Sequence, residues 1–524
     1  MKNDEITKFS QHNQKVFHES QPARVGQPIV LLEINALHSA HIAYSYFANT
    51  MAALYQARLV AYEPVAKTNW LRWLLRRNKP SANEDIYQVY RSFGITKILQ
   101  IDPCPWRAWR VSILARKLHK SLKTKKAVEQ LTLHKIRIGD LLYDSYLKDL
   151  KRPTIELDSK EWAKFLKKFL NLFLFWEDYF KQTKVVGINV SHCVYELAIP
   201  LRIAVFRNIP AYQFNITHAY RLNKKNLFAY NDFHNFKKQF KRLPKKIKHQ
   251  GLKLAEKRIA RRLQGEIGVD MEYSKKTAYG KFKSYPILKF SKRKKILIAT
   301  HCFFDSPHSY GDNVFPDFFE WLNFLGNFAK SSNYDWYIKT HPDYLPGTLE
   351  VIQGILKKYP QLNLLPPDSS HHQIIKEGIN LALTVYGTIG FEYALLGIPV
   401  INASQNNPHI AYSFNLHAKS AEHYKKLLVD PHTFHHKASK KEIYEYYFMK
   451  NIYNTDNLFF KDYQKTIADL GGNEKQFTPM VYKKWIKEWT PKRHEEITHA
   501  IHRFVASGEF KLKAGRDKNL QKNT

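Results

Sequence analysis

Residues 379–403, INLALTVYGTIGFEYALLGIPVINA, constrain this chain more than any other stretch. Ile379, Leu381, Ala382, Leu383 and Val385 form an apolar run that alternates and then becomes continuous, the pattern of a buried strand. The turn Tyr386, Gly387, Thr388, Ile389, Gly390 follows, and residues 391–396 read as a short helix stopped by Gly397 and Pro399. Residues 398–403 are the next buried strand. Two buried strands joined through a helix make a β-α-β unit, so the fold class is α/β with parallel strands. A small-residue turn at a helix mouth presents free N–H groups and a positive dipole end, which suit a phosphate. Gly387 and Gly390 let a ligand approach the backbone, Thr388 offers a hydroxyl, and Glu392 is placed to accept from ribose hydroxyls. The competing reading is an ordinary α/β turn whose glycines serve geometry alone.

Residues 334–342, YDWYIKTHP, weigh in favour of the phosphate. Pro342 ends the ladder, which leaves His341 at the carboxyl end of a strand, where open α/β sheets bind their ligands. A histidine there can donate to a phosphate. A strand-terminal His-Pro some 45 residues before a Gly-Thr-x-Gly-x-Glu turn is hard to ascribe to chance.

The pair IKTHP (338–342) and TVYGTIGFEYALLGIPVI (384–401) resembles the capsule polysaccharide biosynthesis and export family of bacterial glycosyltransferases. That family is similar to the Kdo transferases and shares its His-Pro feature with several bacterial sialyltransferases. The resemblance is good over about 294–404 and weaker over the N-terminal half. It implies a GT-B-like fold, two Rossmann-like domains facing a cleft, with a nucleotide-sugar held mainly by the C-terminal one. His341, Pro342, Tyr386, Gly387, Thr388, Gly390 and Glu392 are then the nucleotide-sugar residues. The leaving phosphate would be met by these groups rather than by a metal. CMP-linked donors come first among nucleotides, because of the Kdo and sialic acid transferases.

Composition bounds the alternatives. The 524 residues suffice for two or three domains. Cys104, Cys193 and Cys302 lie far apart, which speaks against a disulfide framework and fits a reducing compartment. No CxxC pair or HExxH occurs, so no metal is called for, and no cofactor is expected; no GxGxxG follows a first strand, which argues against a dehydrogenase. The first residues lack an apolar core, and no run approaches the ~18 apolar residues of a spanning helix. The expectation is a cytoplasmic protein, soluble or peripheral on the inner face of the plasma membrane. Lys and Arg exceed Asp and Glu by 83 to 46, a net charge of +37, which points to a polyanionic partner. Nucleic acid ranks low, since no RRM, KH, zinc-finger or helix-turn-helix signature is present. An anionic membrane or an acidic glycan ranks above it.

The expected domains follow from strand-helix units on both sides of a long basic stretch. They are a polar N-terminus at 1–27, a Rossmann-like acceptor domain at 28–222, a basic helical connection at 223–293, a nucleotide-sugar domain at 294–478, C-terminal helices at 479–510 that could cross back to the first domain, and a basic tail at 511–524. In the first domain, His38 and His41 fall in the turn after strand 28–33, and Ser191, His192 and Glu196 follow strand 185–190. His38, His41, His192 and, after strand 294–300, Asp305 are the candidates for a general base; His301 beside Asp305 could also bind the donor sugar. The competing role for each histidine is structural, and for Asp305 it is loop capping. Residues 69–77, NWLRWLLRR, place Trp70 and Trp73 beside Arg72 and Arg76, which suits a bilayer interface. Residues 107–126 form a basic helix that could serve the same purpose. Residues 405–478 suggest no chemistry.

The function these features support is transfer of a sugar from a nucleotide-sugar to a surface polysaccharide or lipid-linked glycan. Alternatives are a polyol-phosphate transferase or a sugar-nucleotide epimerase, and, from another class, a non-catalytic binder of acidic glycan or RNA.

Overall fold

The computed structural model describes residues 4–17, 26–64, 84–271, 274–454 and 457–513. Trp70 and Trp73 lie outside the described residues. The chain divides into two compact units, one of 1–145, 156–229 and 455–524, the other of 146–155 and 230–454. Each is built on a six-stranded sheet.

In the first unit the strands are β1 (Ile29–Glu33), β2 (Arg58–Tyr62), β3 (Ile95–Leu99), β6 (Val185–Val190), β7 (Ala211–Phe214) and β8 (Ala219–Leu222). A small hairpin, β4 (Thr132–Leu133) with β5 (Ile136–Arg137), stands apart. The sheet order is β3-β2-β1-β6-β7-β8, parallel except for β8. Every residue of β1 is buried, as expected of a central parallel strand covered on both faces.

The helix His38–Tyr55 starts earlier than its sequence pattern suggests, so His38 and His41 lie in its first turns and not in a connecting turn. Twelve of its eighteen residues are buried. Its cover comes from the helices Met480–Glu488 and Pro491–Ser507, and the helix Asp4–Val16 packs in turn on Met480–Glu488. Phe9 stacks on Tyr482 with ring centroids 4.1 Å apart, and Trp489 donates to the Tyr46 hydroxyl at 3.0 Å.

The second unit holds β9 (Lys294–Ala299), β10 (Tyr334–Lys339), β11 (Leu362–Leu364), β12 (Ile379–Thr384), β13 (Val400–Asn402) and β14 (Leu416–His417). Their order is β11-β10-β9-β12-β13-β14, all parallel. In both units the chain runs outward from the first strand and then reverses on its other side, the doubly wound Rossmann order. The fold is therefore α/β with two Rossmann-like units.

The basic stretch 223–293 is not a separate connection, because its part from Tyr230 onward belongs to the second unit. The helix Lys245–Leu263 buries Gly251, Ala255 and Ile259, one narrow stripe, against the helix Lys440–Phe448. A Cβ on Gly251 would sit 2.6 Å from the Phe448 ring. Residues 457–478, expected in the second domain, belong to the first unit. Among the described residues no helix is long and apolar enough to cross a membrane.

Candidate functional site

The reversal of strand order in the second unit falls between β9 and β12, where open α/β sheets leave a crevice beyond the strands' carboxyl ends. A cavity of about 540 Å³ lies there, within the range of small-molecule sites. Its walls come from the segments that leave β9 (Thr300, His301, Asp305), β10 (Thr340, His341, Pro342) and β12 (Tyr386, Gly387, Thr388), together with Arg262, Tyr279, Glu392 and Lys450.

His341 is exposed and accepts from the Asp343 N–H through Nδ1 at 3.0 Å. In the neutral ring the proton therefore sits on Nε2, which is left to donate. Partial burial lowers the His341 pKa from its ordinary value, and the Lys339 charge adds to this against Asp343.

His301 is fixed more tightly. Its Nε2 accepts from the N–H groups of Val385 at 3.2 Å and Tyr386 at 3.4 Å. The Thr384 hydroxyl lies 3.0 Å from the same nitrogen and itself accepts from Gly387 N–H at 3.1 Å, so its proton goes to the imidazole. The remaining proton is on Nδ1. The ring stacks on Phe318 at 4.6 Å, and burial, with His341 nearby, lowers its pKa to about 3. His301 is thus a neutral donor rather than a base.

Glu392 is 3% exposed. Its Oε2 accepts from the Tyr279 hydroxyl at 2.7 Å, and its Oε1 lies 2.6 Å from Arg262 Nη2. Arg262 also donates to the Thr388 hydroxyl at 3.1 Å. Burial works against the Arg262 charge most strongly, but the Glu392 carboxylate together with Tyr279 and Tyr447 raises the pKa on balance. Lys339 donates to the carbonyls of Thr340 at 3.1 Å and Pro367 at 2.6 Å; burial brings its pKa down to about 8.

Lys450 stands differently. It lies on a π-helical turn, Met449–Tyr453, that continues the helix Lys440–Phe448. Such turns recur at functional sites. Among the described residues its amine makes no ion pair, and the Tyr446 ring lies 5.8 Å from it. Burial and then the Arg262 charge lower its pKa to about 8. At neutral pH it is a cation lining the cavity, with the Asp232 carboxylate acting on it from a distance and no ion-pair contact among the described residues.

The turn between β12 and its helix departs from expectation. The helix Ile389–Leu395 is barely two turns long. The N–H groups of Gly387, Gly390, Phe391 and Glu392 bond within the turn itself. Gly390 does not face the cavity: it is buried, and a Cβ there would lie 2.5 Å from His409 and 2.7 Å from Asn415. Its small size serves packing. The positive charge at this site comes from side chains, with Arg262 and Lys450 contributed by helices far away in sequence.

The base candidates separate. Asp305 is exposed, lines the cavity and accepts from the Ser306 N–H at 2.8 Å. His41 is fully buried; Nε2 donates to the Asn35 carbonyl at 2.9 Å and Nδ1 faces the Tyr482 hydroxyl at 2.6 Å. With both nitrogens engaged and its pKa lowered by burial to about 3, His41 holds the helix in place and is not a base. His38 donates through Nδ1 to Ala36 O at 3.1 Å, and burial lowers its pKa. His192 is exposed beyond β6. Its neighbour Ser191 donates through backbone and hydroxyl to the buried Glu33 carboxylate, at 2.5 and 2.9 Å. Glu196 is buried and pairs with Lys168 at 3.2 Å. Tyr195 holds φ 60° and ψ −172°, a conformation that costs a non-glycine residue about 1–3 kcal/mol.

Among the described residues no group of three or more His, Cys, Asp or Glu is arranged to hold a metal ion. No family model matches the chain, and no curated protein matches it. Solved structures with a detectable likeness include a UDP-GlcNAc 2-epimerase from Neisseria meningitidis bound to UDP-GlcNAc, 11% identical over 80% of this chain and 97% of that one, TM-score 0.27. KpsC of Thermosulfurimonas dismutans, a beta Kdo 2,7 transferase, is 14% identical over 57% of this chain and 85% of that one, TM-score 0.29. A glycosyltransferase from Rickettsia africae is 9% identical over 88% and 100%, TM-score 0.23. Likenesses this distant bear on neither substrate nor mechanism; the fold stands on the strand order given above.

Proposed function

We propose that this protein is a glycosyltransferase that binds a nucleotide-sugar in the cavity of its second unit and passes the sugar to a polysaccharide or lipid-linked glycan. The observation that carries the reading is the unpaired Lys450 amine lining the same cavity as the Nε2–H of His341. A cation held in no ion-pair contact among the described residues and a neutral imidazole donor, at the carboxyl ends of a doubly wound sheet, suit a phosphate group. Charge that develops on the phosphate as the glycosidic bond breaks is met by groups already in place, which lowers the barrier without reorganisation. His301 adds an Nδ1–H. Arg262 is committed to Glu392 and orders the wall through Thr388. Asp305 is the base candidate that lines the cavity. CMP-linked sugars are the first donors to try.

Thermal melting with CMP-, UDP- and CDP-linked sugars tests the binding step, since a ligand at 100 times its Kd adds about 2.7 kcal/mol of stability. Product analysis with the stabilising donor then separates sugar transfer from polyol-phosphate transfer and from epimerisation. If no nucleotide stabilises the protein while acidic glycan or RNA binds tightly and with a steep salt dependence, the chain is a non-catalytic binder.

A further inference from the structure

We infer that the helix Pro105–Ser121 of the first unit presents a docking face for an anionic lipid bilayer. Its inner face is built for the protein. Arg107, Val111, Ala115 and Leu118 are buried, Arg107 donates to Asn171 Oδ1 at 2.9 Å, and Arg110 pairs with Asp178 at 2.6 Å, both partners on the long helix Lys160–Gln182. The outer face is not. Trp106, Trp109 and Ile113 are 64%, 54% and 47% exposed. Spaced i, i+3 and i+7, they share one stripe along the helix. Two tryptophans left more than half in water on adjacent turns are a cost that a partner removes.

Arg116, Lys117 and Lys120 continue the same stripe, and Lys123 follows just past the helix end. Arg116, Lys117, Lys120 and Lys123 are exposed, and the helix contains no acidic residue. Lys117, Lys120 and Lys123 have no ion-pair partner among the described residues. An apolar, Trp-bearing patch followed by unpaired lysines matches a bilayer surface, where indole rings settle at the headgroup level and lysines meet lipid phosphates.

The details favour lipid over the other occupants. The two indole rings stack on each other, centroids 4.7 Å apart and planes 21° apart, so their inner faces are spent and cannot sandwich bases. Ile113 has no ring to stack. A second copy of the chain would bring the same unpaired lysines and a net charge of +37 against this face.

The test is flotation of the full chain with vesicles of phosphatidylcholine alone and of phosphatidylcholine mixed with phosphatidylglycerol. The protein should float with the mixed vesicles only, and with a blue shift of tryptophan emission. Trp106→Ala/Trp109→Ala should weaken flotation by about tenfold. The Lys117→Glu/Lys120→Glu/Lys123→Glu variant should weaken it by about two orders of magnitude. Its substitutions are all at exposed positions, so it keeps the test decisive if the alanine variant melts early. Unchanged flotation in both variants overturns the proposal. So does binding of single-stranded RNA that the tryptophan variant loses while its flotation persists, or a dimer that the same variant dissociates with flotation unaffected.

Discussion

Arg262 and Glu392 form a buried ion pair at 2.6 Å, the guanidinium side chain 12% and the carboxylate side chain 5% exposed. The sequence suggests Glu392 as a free ribose acceptor; in the structure it is the counterion of an arginine and the acceptor of the Tyr279 hydroxyl. Removing one partner of such a pair leaves the other buried and uncompensated. Glu392→Gln should therefore lower stability by about 3 kcal/mol, read from urea unfolding, as well as weaken nucleotide binding. A variant that binds poorly but unfolds like wild type would restore the simple ribose-contact role.

His341→Ala should behave in the opposite way. The ring is exposed and its one internal bond is to a loop N–H. Melting should stay close to wild type, while turnover with the identified donor falls by about 10²–10³, the loss seen when a preorganised donor to a developing charge is removed. Near-normal turnover would reduce His341 to a strand-end histidine.

Gly390→Val should destabilise the second unit without a specific effect on nucleotide affinity per folded molecule. The new side chain meets His409 and Asn415, both buried, and overpacking of this kind costs about 1–3 kcal/mol. Melting and binding measured on the same sample decide it: lost affinity with unchanged melting would put Gly390 back at the ligand.

Lys450 gives binding a pH signature. With its pKa at about 8, the amine is charged below that value and neutral above it. Affinity for a nucleotide phosphate should be full at lower pH and decline as pH rises through 8, with the midpoint moved upward in the complex because a bound anion favours the protonated amine. Lys450→Met should lower affinity about tenfold to a hundredfold and flatten this dependence, as titration calorimetry across the range would show. A wild-type profile that is level from pH 7 to about 9.5 would exclude Lys450 from the phosphate site, given that the amine must cross its pKa in that window.

Strand positions were legible because buried parallel strands are apolar runs: the strand read at 185–190 matches β6 to the residue. His341, Tyr386, Gly387, Thr388 and Asp305 could be placed near one another because each follows a strand that ends at the same edge of the sheet. Arg262 and Lys450 could not. Arg262 sits in a helix with many basic residues, where nothing local marks the one that turns inward. Lys450 follows a run of tyrosines whose role as the wall behind Phe391 and His409 depends on tertiary packing. Gly390 misled for the same reason: a glycine beside a helix start looks the same whether a ligand or a histidine occupies the space its side chain would fill. Strands β8 and β14, only four and two residues long, carry too little pattern to be read.

The first unit is closed by the last helices of the chain, with Tyr482 against Phe9 and His41, and Trp489 against Tyr46. On a ribosome those helices emerge more than 400 residues after the helix His38–Tyr55 that they cover. At ordinary elongation rates, about 5–20 residues per second, that helix waits for tens of seconds with an apolar face bare. The second unit, whose segments are all made by residue 454, can finish folding during that wait. Synthesis thus completes the cavity-bearing unit first and the other unit last, and truncations after Asn454 should leave the nascent first unit as the species that chaperones hold.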